Sequence, residues 1–189
     1  MSRKFVISGM LVALGCLCAA PSGARAQVSL GVGGGATFPV SDLSNADKTG
    51  YNILATLGFR IPEFPLGLRV DGMFNQMKSK FADVSNTQIW TVNADLQANL
   101  VTVPHAPVVP YMVAGIGYYN SRYRVSTSGT DFVGSGNAHA NDFGLNGGLG
   151  VRFGLGSSSL FVEGRYHYVF TSGTHLQMIP ITVGINFGG

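Results

Sequence analysis

The chain has 189 residues, with 12 Lys and Arg against 9 Asp and Glu, and charged residues make up only 11% of it. Ordinary soluble domains carry roughly 25%. Low charge, 27 glycines and no basic tract with interleaved aromatics argue for strands rather than helices and against a nucleic-acid partner.

Arg3 and Lys4 precede an apolar stretch from Phe5 to Ala20, and Ala24-Arg25-Ala26 follows. This is a basic n-region, a short h-region and an Ala-x-Ala cleavage site. The run falls short of the ~20 residues that a spanning helix needs. Residues 1–26 are therefore read as a signal peptide and residues 27–189 as one exported domain. The alternative is a lipoprotein cut before Cys16, although Leu14-Gly15-Cys16 lacks the usual Leu three residues before the Cys. Cleavage after Ala26 removes Arg3, Lys4, Arg25, Cys16 and Cys18, leaving nine basic and nine acidic residues and no cysteine. Disulfides, thiol nucleophiles and Cys-based metal sites are then excluded.

The remaining chain alternates with period two throughout. The first strand places Val28, Leu30, Val32, Gly34, Ala36 and Phe38 on one face and Ser29, Gly31, Gly33, Gly35 and Thr37 on the other. The second runs from Tyr51 to Arg60 and the third from Leu66 to Asn75. The fourth sets Trp90, Val92, Ala94, Leu96, Ala98 and Leu100 against Thr91, Asn93, Asp95, Gln97 and Asn99. The fifth, about Tyr111 to Tyr123, has an ambiguous phase because Tyr111-Met112-Val113 is apolar on both faces. The sixth spans Phe143 to Phe153, the seventh Leu160 to Phe170 and the eighth Ile179 to Phe187. Pro180 cannot donate to a ladder and calls for a bulge or a place beyond the neighbouring strand.

Connections after strands two, four and six are compact, whereas Pro39 to Lys48, Lys78 to Gln88 and about Arg124 to Asn141 are longer and polar. Short periplasmic turns with longer outer loops are the habit of outer-membrane barrels. The polar face separates this from a soluble barrel. It is Gly, Asn, Thr and Gln with a few Arg and acids, while Lys48, Lys78 and Lys80 all sit in or at the outer loops. A solvated surface would be rich in Lys and Glu. Phe38, Tyr51, Phe74, Trp90, Phe143 and Phe170 fall at one edge of the apolar face, and Phe59, Phe153 and Phe187 at the other. Two aromatic girdles are expected at the two membrane interfaces. The fold class is all-β: an eight-stranded antiparallel up-and-down transmembrane β-barrel.

Ile179-Pro180-Ile181-Thr182-Val183-Gly184-Ile185-Asn186-Phe187, Phe161-Val162-Glu163-Gly164-Arg165-Tyr166 and Val109-Pro110-Tyr111 with Ala114-Gly115-Ile116-Gly117-Tyr118 resemble the small outer-membrane β-barrel family. That group is akin to the outer-membrane protein A transmembrane domain and to protein X. The resemblance covers nearly all of the exported domain and implies a cell outer-membrane location. It further implies contact with outer-membrane lipid and lipopolysaccharide, and assembly by the barrel-assembly machinery. Phe187 then serves as the assembly signal, although Gly188-Gly189 departs from a strictly terminal aromatic. The family implies no single activity.

Arg60, Arg69, Asp71, Asp95, Arg152, Glu163 and Arg165 lie on the inward face. They are expected to form a nearly neutral network of four arginines and three acids, with Arg152 diagonal to Glu163. A structural plug that blocks the lumen is one reading, and a gated, porin-like ion path is the other. His167 invites comparison with barrels that deacylate lipid A. Their signature resembles His-x-Ser followed by Asn, whereas this chain has His167-Tyr168-Val169-Phe170, and its phase points His167 into the lumen. No catalytic residue is assigned. His139, Asp131, Asp142 and His175 in the outer loops have no metal-site spacing, so no metal or cofactor is expected. The Gly31–Gly35 and Gly144–Gly150 runs lack the helix and Lys-Ser/Thr of a phosphate loop and are read as lumen packing. Arg122, Tyr123 and Arg124, opening the third long loop, are the candidate binding residues for lipopolysaccharide phosphates or another surface ligand. A non-enzymatic structural or surface-interaction role is the expected function.

Overall fold

The computed structural model describes residues 27–60, 66–80, 84–101, 106–125, 137–171 and 176–188. The expected signal peptide, Cys16, Asp131, His175 and Gly189 lie outside the described residues. The eight strands are β1 (Gln27–Val40), β2 (Gly50–Arg60), β3 (Leu66–Lys78), β4 (Val84–Asn99), β5 (Val108–Val125), β6 (Asn137–Leu155), β7 (Ser158–Val169) and β8 (Leu176–Phe187). Each pairs antiparallel with its sequence neighbour, and β1 pairs with β8 to close the barrel. Closure removes both sheet edges, the condition for strands to be stable without water on their outer face.

Period-two alternation sorts the side chains between lumen and exterior. Along β3, Gly67, Arg69, Asp71, Met73, Asn75 and Met77 are buried, while Leu66, Leu68, Val70 and Gly72 are exposed. The inversion of the soluble pattern is plain: Leu68, Val92, Ile116, Phe143 and Leu149 each expose more than half of their surface, whereas Asp71, Asn75 and His167 expose none. β5 takes the phase that its sequence left open. Tyr111, Val113, Gly117, Tyr119 and Ser121 are buried, and Met112, Ala114, Ile116 and Tyr118 face outward.

Pro180 needs no bulge. On the β7 side the pairing passes from Gly164↔Ile181 to His167↔Met178 in the same register, so the ladder skips the position that lacks an N–H and resumes unshifted. The register does shift in β4, between Val84 and Asn86. The β6–β7 turn is tight, with Leu155 paired to Ser158 and Gly156 at φ 69°. Glycine adopts that left-handed backbone without strain, and such turns match the twist of the flanking strands.

One element departs from the sequence reading. Within the polar stretch Pro39 to Lys48, Asp42–Ala46 forms a short helix, α1. It lies at the end of the barrel away from the start of β1 and drives Leu43 into a buried cluster with Met77, Ile89, Tyr119, Val169, Leu176 and Met178. Lys80 Nζ donates to Ser44 O at 2.6 Å, Thr87 Oγ1 donates to Asp47 Oδ1 at 3.0 Å, and Asp47 bridges Ser79. This mouth is therefore capped by apolar contact and tied to β3 and β4.

Candidate functional site

Below the apolar cap, five charged side chains meet across the lumen. Arg69 on β3 places Nη1 2.6 Å from Glu163 Oε2 and Nη2 3.0 Å from Oε1, while its Nε lies 2.7 Å from Asp71 Oδ1. Arg165 on β7 donates from Nε to Glu163 Oε1 at 2.6 Å and from Nη1 to Asp95 Oδ2 at 2.9 Å, and also bonds Asp71 Oδ2 through Nη2. Each guanidinium therefore spends all three nitrogens on carboxylates, a use that its planar fork allows and an ammonium could not match. Tyr111 Oη donates to Glu163 Oε2 at 2.8 Å, and Asn146 Nδ2 to Asp95 Oδ1 at 2.8 Å. All seven side chains are buried. Buried charge is tolerated only when paired and hydrogen-bonded, as here.

Local sequence makes the room. A Cβ at Gly150 would collide with the Tyr111 ring, and one at Gly148 would lie 2.8 Å from Arg165 Cγ. Large side chains reach across the lumen because glycines face them from the neighbouring strand. Higher up, Thr37 Oγ1 donates to Asn75 Oδ1 at 2.7 Å, and Thr182 Oγ1 to Asn52 Oδ1 at 2.9 Å.

The expected seven-residue network is corrected in composition. Arg69, Asp71, Asp95, Glu163 and Arg165 come together, but Arg60 and Arg152 stand apart at the end where β1 starts. The ring thus has two arginines for three acids rather than four. Arg152 does not pair with Glu163; its guanidinium lies 5.3 Å from the Tyr111 ring centroid, a cation–π contact. Glu163 is already filled by Arg69, Arg165 and Tyr111. Among the described residues Arg60 reaches only Asn99, at 3.4 Å.

A second correction concerns the loops. Arg122 and Tyr123 lie in β5, as its expected bounds had them, and Arg124 belongs to it as well, so the three do not open the loop but pair with His139, Ala138 and Asn137 of β6. The strands run on past the expected boundary, and residues 126–136 between them lie outside the described residues. Arg122 faces outward and donates from Nε to Asn120 Oδ1 at 3.2 Å. Side-chain placement of Tyr123 and Arg124 falls outside the described set. His139 and Asp142 are likewise strand residues of β6 rather than loop residues. Among the described residues no cluster of potential metal ligands is found.

His167 is fully buried, with Nδ1 2.7 Å from Tyr119 Oη. At the capped mouth, burial pushes the Asp47 carboxyl above its ordinary value, partly opposed by the Thr87 hydroxyl. The positions that sequence reasoning did not single out, Tyr111, Asn146, Tyr119 and Leu43, have simple signals behind them. Three carry the lumen parity of their strands, and Leu43 is the apolar member of α1 that reaches the core cluster.

On the outer face, Tyr51 and Phe74 rings meet edge to face at 6.2 Å, Phe74 and Trp90 are 4.7 Å apart, and Tyr118 and Phe143 5.6 Å. Phe153 and Phe187 lie exposed at the opposite end. Two aromatic belts enclosing an apolar band are what a membrane-spanning barrel presents to lipid.

The family model for the outer membrane protein beta-barrel domain matches residues 9–187. Among solved structures, the chain is similar to Neisserial surface protein A at 18% identity and a TM-score of 0.63, covering 85% of this chain and 96% of that one. It is also similar to a major outer membrane protein from Thermus thermophilus, at 14% identity and a TM-score of 0.66, covering 87% and 100%. A third likeness is to Ail, the attachment invasion locus protein of Yersinia pestis, in complex with the heparin analogue sucrose octasulfate. There the identity is 14% and the TM-score 0.52, covering 86% and 99%. No curated protein matches the sequence. The chain belongs to the outer membrane protein beta-barrel domain family, whose place is the outer membrane.

Proposed function

We propose that this protein is a non-enzymatic outer-membrane barrel with a structural or surface-interaction role, standing among outer-membrane lipid and lipopolysaccharide and presenting its loops to a surface ligand. The observation that carries this reading is closure of the lumen at two levels. The Leu43 cluster fills one mouth, and the Arg69–Glu163–Arg165 ring crosses the middle. A conducting path would have to break both. A lipid-modifying role finds little support, because His167 points into the lumen and is bonded to Tyr119 rather than facing lipid. Phe187, exposed at the end of β8, fits the terminal signal for the barrel-assembly machinery.

Purified protein in planar bilayers is expected to show no steady conductance. Reproducible open levels from the wild type would replace this reading with a narrow, porin-like channel. Lipid A from cells with and without the protein is expected to carry the same acyl chains by mass spectrometry; a changed pattern would make it an enzyme. Deleting residues 126–136, between the paired ends of β5 and β6, should leave a folded barrel. Adhesion and envelope phenotypes unchanged by that deletion would remove loop-mediated binding.

A further inference from the structure

The lumen is not filled along its whole length. Below the charged ring, a cavity of about 190 Å³ opens at the end where β1 starts and β8 finishes. In an outer-membrane barrel whose first strand begins and last strand ends on that side, this end faces the periplasm. The two arginines left out of the ring, Arg60 from β2 and Arg152 from β6, both line it. Gln97 from β4 lines it as well.

Three observations about these groups agree. First, neither Arg60 nor Arg152 has an ion-pair partner among the described residues. Both are part-buried, where an uncompensated charge is costly. Second, donors point to nothing: Arg152 Nε and Gln97 Nε2 are buried without a hydrogen-bond partner, and Gln97 is only 9% exposed. Third, among the described residues the inward-facing charges in the ring and below it do not balance. The ring holds Arg69 and Arg165 against Asp71, Asp95 and Glu163, a formal excess of one negative charge, and Arg60 and Arg152 turn that into an excess of one positive charge. A small anion in the cavity would cancel this excess, satisfy the orphan donors and screen the two arginines from each other.

We propose that the periplasmic vestibule is a binding site for a small phosphate-bearing anion, held by Arg60, Arg152 and the Gln97 amide. The volume holds a phosphate group together with several waters, since about 10–15 Å³ of such space admits one water, and it lies below the ~300 Å³ from which pockets for larger organic ligands start. Donors from three separate strands approach from different sides of the mouth, which matches a tetrahedral oxyanion better than a planar carboxylate. Arginine is the residue that reads phosphate oxygens by geometry as well as by charge. The site is a dead end: the ring above it blocks passage, so it binds without conducting. Ser29, Ser159 and Asn186 also line the cavity and offer further hydroxyl and amide groups.

The test is a titration of the full, refolded chain in alkyl maltoside micelles, which carry no phosphate, by calorimetry at constant ionic strength held with chloride. Inorganic phosphate and glycerol 3-phosphate are the soluble probes. Nanodiscs of phosphatidylglycerol and of phosphatidylcholine form the arm that tests a lipid headgroup as the source. Saturable binding of the soluble probes is expected. Arg60→Gln and Arg152→Gln should each weaken it several-fold, and the double variant by about tenfold or more, while Lys78→Gln, exposed at the far end of β3, leaves it unchanged. Retained heat-modifiable gel migration would show that each variant is folded. Should the double variant fail to fold, Arg60→Lys and Arg152→Lys, which keep the charge but lose the fork, still discriminate, because both are expected to weaken binding. If wild-type protein shows no saturable binding of either probe, or the folded glutamine variants bind as well as wild type, the proposal is wrong. Binding only when phosphatidylglycerol is present would overturn the soluble source.

Discussion

Arg69 and Glu163 are joined by two parallel hydrogen bonds of 2.6 and 3.0 Å across the lumen, from β3 to β7. Those strands lie four apart in a ring of eight, so the pair is a strut across the full diameter. A barrel wall is held by its ladders; this strut also fixes the distance between opposite walls. Both partners are buried, and removing one takes two hydrogen bonds from the other and upsets the charge balance of the ring, although Arg69 keeps Asp71 and Glu163 keeps Arg165 and Tyr111. Breaking a buried pair costs up to about 3–5 kcal/mol. Glu163→Gln and Arg69→Ala should each lower stability by that order in urea unfolding from lipid vesicles. The joint change Arg69→Met with Glu163→Leu should cost less than the sum, since the contact the two residues share is lost only once. Additive losses would show that the two residues act independently.

Tyr111 supports the strut from the side through its bond to Glu163 Oε2. Tyr111→Phe keeps the ring against Gly150 and loses only the hydroxyl, so a loss of about 1 kcal/mol is expected. Gly150→Val should be more damaging, because the added side chain enters space the Tyr111 ring occupies. Overpacking of this kind typically costs about 1–3 kcal/mol. A valine variant as stable as wild type would mean that the ring moves aside freely, and the lumen would then be less closely packed than its contacts imply.

Much of this was legible from residue parity alone. The inward side chains of β1, β3, β4 and β7 follow from strict alternation, because a one-residue slip would move every charge from lumen to lipid. β5 resisted because Tyr111, Met112 and Val113 are apolar in sequence while only two of them turn inward. The clue lay further along: Gly115 and Gly117 share the parity of Tyr111, and a Cβ at either would strike Asp95 or Asn93 from β4. Parity does not give depth. It placed Arg60 and Arg152 inside, and the strand bounds put Arg60 at an end, but which inward residues meet depends on the stagger of all eight strands around the closed ring. The helix α1 was illegible for a different reason. Its five residues are too few for a helical period, and Leu43 gains its place only because Met77, Ile89 and Met178 lie beneath it.

The capped mouth is expected to respond to pH through Asp47. Burial raises its carboxyl value in the folded protein, so the folded cap binds a proton more tightly than the opened one. Its stabilising contribution is therefore complete below the ordinary carboxylate range and lost as pH rises through the folded value. Hydrogen exchange of residues 42–47, corrected for intrinsic rates, should show greater protection in acid than at neutrality. Asp47→Asn mimics the protonated form and can still accept from Thr87, so it should keep the protected state at both pH values. A pH response that persists in Asp47→Asn would assign the effect to another group.

Trp90 is the single tryptophan of the chain, and it reports the membrane position directly. It is 53% exposed on the outer face of β4 and packs at 4.7 Å against Phe74. That places it in the aromatic belt at the loop end of the barrel, where an indole sits between acyl chains and headgroups. Folding into vesicles should shift its emission to shorter wavelength, as the ring leaves water for the interface. Lipids brominated near the headgroup should quench it more than lipids brominated near the chain end, while aqueous iodide quenches little. Phe74→Ala should leave this depth profile unchanged and cost roughly 1 kcal/mol in stability from the lost aromatic contact. Stronger quenching by iodide than by brominated lipid would put Trp90 in water, and the apolar face would then not be the lipid face.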